Sequence, residues 1–402
     1  MFLVRTALTD VRRSLVTTSD YIVIGAGLAG TATAWHLAER GKQVTMLERA
    51  EPGNTEGSSH GSARIFRYAY PDRFYTDLVR RSRIGWDELE RRSGRQLIQP
   101  TGALDHGELR NPTHLAGILE ESGVEHELLS AESARERWPQ FHFDTEVLWH
   151  PGAGVLDPAE AIHTMLTLAQ ATGNVDLRNQ WEVSDVVRTA DGNFTVRSQS
   201  GATVSGHGVI VAAGGWLPYI LKSLALPTGF LANFPQQIVR QEQAFHMPWR
   251  EADKDGNLYP DWPTYIHKRE GLQTYGLPGG RDANFRGQKM AEFNGGRILQ
   301  SAREQDGRID PEMRQKMIEY VEEFLPGVHP EPYAETTCLF TNTANEDFVI
   351  DSADGVTVVS ACSGHGGKFA PLLGELAADL ATGKGSSPAP FTVASHAKGV
   401  SQ

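Results

Sequence analysis

The sequence predicts an α/β protein in which a Rossmann-like, parallel-stranded part is interleaved with a mainly antiparallel β-sheet part. Three observations predict it. A strand, a glycine turn, a helix and a second strand follow one another within residues 21–48, the order of a βαβ unit. Residues 226–300 are rich in Tyr, Phe, Trp, Pro and Gly, with alternating runs such as 236–246, which suit antiparallel strands of a substrate-facing domain. The strand-then-helix pattern returns at 356–380, so the first part resumes after the middle. A chain of 402 residues has room for two or three such domains.

Taken in order, Tyr21-Ile22-Val23-Ile24 reads as a buried strand, 31–40 as a helix ending near Gly41, and 44–48 as the next strand. Residues 75–93 form a charged amphipathic helix, with Leu78, Ile84, Trp86 and Leu89 assigned to its buried face. Residues 97–150 are mixed. A helix is predicted over 159–171, strands over 181–188, 194–198 and 209–213, then Gly214-Gly215-Trp216. Pro311 opens a helix to Phe324 with Asp310 as its N-cap. Residues 356–360 are a buried strand and 372–380 the helix after it. The predicted division is an extension at 1–19, a nucleotide-binding part at 20–95, 150–225 and 330–402, and a substrate part at 96–149 and 226–329.

Gly25-Ala26-Gly27-Leu28-Ala29-Gly30 stands between the first strand and helix, and Glu48 ends the second strand. Gly25 permits the tight turn, Gly27 lets backbone approach a pyrophosphate, and Gly30 lets the helix pack close to the strand. The helix N-terminus faces the phosphates, and the Glu48 carboxylate suits a ribose hydroxyl. This context specifies a dinucleotide. The motif's place at the start of the domain, with further segments spread to the far end, favours FAD over NAD.

Composition narrows the partners. Lys and Arg number 38 against 50 Asp and Glu, a net charge of −12, so no basic surplus exists for nucleic acid. Two cysteines, Cys338 and Cys362, cannot build a disulfide framework or a four-cysteine metal site; no metal is expected, and Cys362 is assigned to the core. Arg12-Arg13 ahead of an uncharged run resembles an export signal. Asp20 and three glycines interrupt that run, and cleavage there would remove the dinucleotide motif. The expectation is a soluble, cytoplasmic protein with no membrane segment.

The segment Gly57-Ser58-Ser59-His60-Gly61-Ser62-Ala63-Arg64-Ile65-Phe66-Arg67 resembles the one after the second strand in the monomeric sarcosine oxidase and N-methyltryptophan oxidase family, flavoprotein amine oxidases of the D-amino-acid-oxidase-like superfamily. Residues 211–216, Lys289, the runs 337–341 and 347–351, and 363–369 match in the same order. The resemblance implies that Cys338 carries FAD through a thioether. It implies that Arg67 and Lys368 bind the substrate carboxylate, and that Arg64 and His60 lie against the flavin ring. Lys289 would supply the positive charge for reaction with O2. Ser58, Ser59, Val183, Gly214, Trp216, Gly364, His365 and Gly366 would contact the cofactor, and a monomer is favoured.

Two pocket positions depart from the family pattern. Thr274 stands where tyrosine is expected and Phe293 where histidine is expected, while Tyr275 is kept. The reading is an FAD-dependent oxidase of secondary amino acids that forms an imine and reduces O2 to H2O2, with its substrate changed from sarcosine. A fructosyl amino acid oxidase, a cyclic secondary amino acid oxidase, a dehydrogenase coupled to a carrier and a non-catalytic flavin protein are the alternatives.

Overall fold

The computed structural model describes residues 18–399. Of the predicted extension, residues 1–17 and the Arg12-Arg13 pair lie outside that range. Ser19 does not belong to an extension: it opens the first strand, Ser19–Ile24, and its hydroxyl lies 2.6 Å from that of Thr45.

The expected α/β class is borne out. An eight-stranded sheet has a parallel centre in the order Val356–Ser360, Thr203–Val211, Ser19–Ile24, Val44–Leu47 and Val175–Arg178. Val44–Leu47 and Val356–Ser360 are buried at every residue, as expected where both faces of a parallel sheet are covered. Helices Leu28–Glu39, Pro158–Ala171 and Ala370–Ala381 contribute to one core. The strand Thr203–Val211 is longer than the predicted 209–213. Its first half pairs antiparallel with Phe194–Ser198 and its second half parallel with Val356–Ser360, so it serves two neighbours in turn.

The second sheet has nine strands, antiparallel throughout except where Thr264–Arg269 runs parallel to Ala103–His106. Helix Pro311–Phe324 covers one face, packing Met317, Tyr320, Val321 and Phe324 against Phe245, Tyr265 and Met290. Its Asp310 cap accepts from Glu312 N at 2.9 Å, as the sequence predicts. The strand Ala334–Asn342, within the segment expected in the nucleotide-binding part, pairs along its whole length with Ile238–Pro248 of this sheet. The chain returns to the parallel sheet at Val349–Ala353.

Two helix details differ from the prediction. The first helix begins at Leu28, inside the glycine motif, with Gly27 as its cap. In the helix Arg73–Ser93, Ile84 is 71% exposed, and the buried face is Thr76, Leu78, Val79, Ser82, Trp86 and Leu89. Ile84 is two residues past Ser82, about 200° around the axis, which turns it to solvent. Among the described residues no helix is long and apolar enough to cross a membrane.

Candidate active site

A cavity of about 580 Å³ lies between the carboxyl ends of the parallel strands and the uncovered face of the second sheet. Crevices at those strand ends are where open α/β sheets hold ligands.

At one end is the glycine turn. Gly25 has φ of +101°, and a Cβ there would lie 2.4 Å from Ala212 O. A Cβ on Gly30 would lie 1.9 Å from Gly25 O, so the helix can sit this close only with glycine there. Glu48 is buried and accepts from Ala26 N at 2.8 Å and Ala50 N at 2.9 Å. It thereby binds the turn and the second strand together at the place where a ribose would meet it. Ser59 Oγ accepts from Leu28 N at the helix N-terminus. Ser58 Oγ and Trp181 Nε1, both on residues that line the cavity, are buried without a partner, as an incoming polar ligand requires. These features fit the adenosine and pyrophosphate of FAD.

Midway, Arg64 donates to Ser58 O at 3.0 Å, His60 O at 2.9 Å and Ala63 O at 2.9 Å, pinning the loop before it. Lys289, buried on the strand Gly287–Glu292, reaches Ala63 O at 3.5 Å. Burial, reinforced by Arg64, brings its pKa down to about 8. Cys338 also lines this stretch; burial pushes its thiol up, while Arg64 and Lys289 pull the other way. Tyr275 lines the same wall, and its phenol is driven well above the ordinary value by burial.

At the far end Tyr70 organises two cations. The Arg67 guanidinium lies 4.4 Å from its ring centre, and Lys368 donates to its hydroxyl at 3.0 Å and to His365 O at 2.8 Å. Arg67 also donates to Ala69 O. Burial first, then Arg67 and Arg110, hold Lys368 well below the usual lysine range. Phe293 and Phe340 form an aromatic wall, and a Cβ on Gly364 (φ +67°) would come within 2.8 Å of both rings.

The structure therefore brings nearly all the predicted site residues to one cavity, including Gly214, Trp216, Val183, His365 and Gly366. Two do not line it. Gly30 acts through helix packing, and His60 faces a smaller adjoining pocket with Trp216 and Thr337. Burial, then Arg64 and Lys289, lower the His60 pKa to about 4, so its ring is neutral at neutral pH. Cys362, assigned to the core, is half-buried and also lines the cavity, because the chain leaves its strand at Ser360 just before it. Thr274 contributes to the wall but stands opposite His267 in register, on the helix-covered side of the sheet. Tyr275, opposite Ile266, faces the cavity.

The lining residues missed include Tyr70 and two cations, Arg110 and Lys268. Arg110 is buried, paired with Asp105, and donates to Ala69 O at 2.9 Å. Lys268 lies 5.3 Å from the Phe293 ring centre, and burial followed by Arg110 lowers its pKa to about 8. In sequence both stand among polar neighbours; the alternation Tyr265-Ile266-His267-Lys268 was the available signal for an inward lysine.

The family described as FAD dependent oxidoreductase matches residues 20–380. The chain belongs to that family. This FAD-dependent oxidoreductase is 32% identical to a monomeric sarcosine oxidase of Streptomyces avermitilis, over 92% of this chain and 96% of that protein. It is 30% identical to an N-methyl-L-tryptophan oxidase of Yersinia pestis, over 93% and 97% respectively. Among solved structures, NikD, an unusual amino acid oxidase essential for nikkomycin biosynthesis, is 25% identical with a TM-score of 0.80, covering 93% of this chain and 96% of NikD. The oxidoreductase also shares its fold with an L-proline dehydrogenase from P. horikoshii, at 21% identity and a TM-score of 0.75, over 96% of this chain and 99% of that one.

Proposed function

We propose that this oxidoreductase oxidises secondary amino acids at a carbon–nitrogen bond, giving an imine that hydrolyses, with O2 as the final acceptor and H2O2 as product. The observation that carries this reading is the pair Arg67 and Lys368 held around Tyr70 in the same cavity as the dinucleotide turn. A planar guanidinium and an ammonium converging on one wall suit a carboxylate, which would fix the amine in the space between that wall and Lys289. Bound FAD supplies the two-electron acceptor. Lys289 holds a positive charge where negative charge develops on O2. Cys338 is the residue we assign to the covalent link; burial pushes its thiol up, and Arg64 and Lys289 oppose that push in part. The parallel-sheet part holds the cofactor and the antiparallel sheet faces the substrate. Partners are the amino acid and O2, and the protein works as a cytoplasmic monomer.

The loss of a histidine at Phe293 supports a substrate other than sarcosine. The test is anaerobic addition of N-methyl amino acids to the purified, FAD-loaded protein. Bleaching of the flavin by one of them, followed by peroxide formation on admitting air, is the expected result. Flavin that no secondary amino acid reduces would overturn the proposal. Arg67→Ala is expected to raise KM about tenfold or more, since a charge-assisted pair is removed.

A further inference from the structure

Beyond a single carboxylate clamp, we infer that Arg110 and Lys268 form a second anion subsite, so that the substrate is an N-substituted amino acid carrying two anionic groups. This rests on the oxidase reading above and specifies its substrate class. The geometry is a convergence of four cations on the lining of one cavity. Arg67 and Arg110 both donate to Ala69 O, so two guanidinium groups meet at a single carbonyl. Lys268 comes from the strand Thr264–Arg269, which lies beside Ala103–His106, the strand that carries Asp105. Lys368 closes the group from the Tyr70 side.

Among the described residues, Asp105 is the one carboxylate paired with any of the four, and it pairs with Arg110. Glu346 and Asp347 also border the cavity, but they accept from Asn294 and from Tyr75 and Asn345 rather than from a cation. A substrate with one carboxylate engages Arg67 and Lys368 and leaves Lys268, on the lining of the same cavity as Arg110, without a carboxylate partner. Buried like charges are tolerated when an anion joins them. The pKa of Lys268 is lowered first by burial and then by Arg110 and Arg67, with Glu346 and Asp105 opposing them. Phe293 backs the lysine with an aromatic face, which holds an ammonium without neutralising it.

The test titrates the FAD-loaded enzyme with propionate and with succinate, following the flavin spectrum. Succinate is expected to bind about tenfold tighter or more. In Lys268→Met the two ligands should bind alike, and Lys268→Arg should restore the preference. In turnover, N-methyl-L-aspartate and N-carboxymethyl-L-alanine, each compared with N-methyl-L-alanine, report whether the second anion sits on the side chain or on the nitrogen substituent. If propionate binds and succinate binds no tighter, the second subsite is wrong and the oxidase reading stands. If neither ligand binds, both fall. A succinate preference that survives Lys268→Met at full size would overturn the assignment of Lys268.

Discussion

Lys289 couples burial to protonation at a single position. The strand around it withdraws its ammonium group from water, and the guanidinium of Arg64 stands close, so its pKa falls to about 8. The charged form is therefore present below that value and lost above it. We expect the rate at which reduced enzyme reacts with O2 to fall as pH rises through about 8, measured by stopped flow. Lys289→Met should slow that step by about 10²–10³ and leave no pH dependence in this range. At Cys338, replacement by Ser should leave flavin that washes free on acid precipitation, where the parent protein keeps its colour. Colour retained by the Cys338→Ser precipitate would place the link elsewhere. Such residues were legible because the motifs around them are distinctive. Arg110 and Lys268 were not, since a charge in Glu-Leu-Arg-Asn or His-Lys-Arg-Glu resembles a solvated surface until distant strands bury it.

At the scale of the element, the glycine turn was readable because its demands are steric and local. Gly30→Ala places a methyl group 1.9 Å from Gly25 O, so the helix must withdraw from the strand. A loss of about 1–3 kcal/mol is expected in urea unfolding, together with weaker FAD binding. Asp310→Ala should cost about 1 kcal/mol through the lost cap alone, with activity retained. The Pro311 helix was equally plain, from an N-cap followed by proline. The helix at Arg73–Ser93 was found, yet Ile84 was placed on the wrong face because hydrophobicity outweighed angular position. The strand Thr203–Val211 was read short, because Thr203, Ser205, Gly206, His207 and Gly208 carry little apolar signal. Its first half is held by the neighbouring antiparallel strand rather than by its own composition.

For the molecule as a whole, the cavity is walled by both large sheets, so a ligand there links their unfolding. Loading the apoprotein with FAD at about one hundred times its Kd should add about 2.7 kcal/mol to stability, seen as a rise in Tm in calorimetry. A single transition is expected. Two separate transitions, with FAD moving only one, would mean that the sheets unfold independently. The interleaving itself was legible from the return of the strand–helix pattern near the end of the chain. The pairing of Thr264–Arg269 with Ala103–His106 was not, as no local pattern announces a partner more than a hundred residues away.

The strand Ala334–Asn342 is paired against Ile238–Pro248, and only after it does the chain supply Val356–Ser360 to the parallel sheet. A gene interrupted ahead of this stretch would therefore yield neither half in working order: one sheet would lack the long strand that covers Ile238–Pro248 and the other a strand of its parallel centre. Such a protein cannot be traded in pieces between genes as a cofactor module and a substrate module. Its specificity has to change one lining residue at a time, in a chain inherited whole.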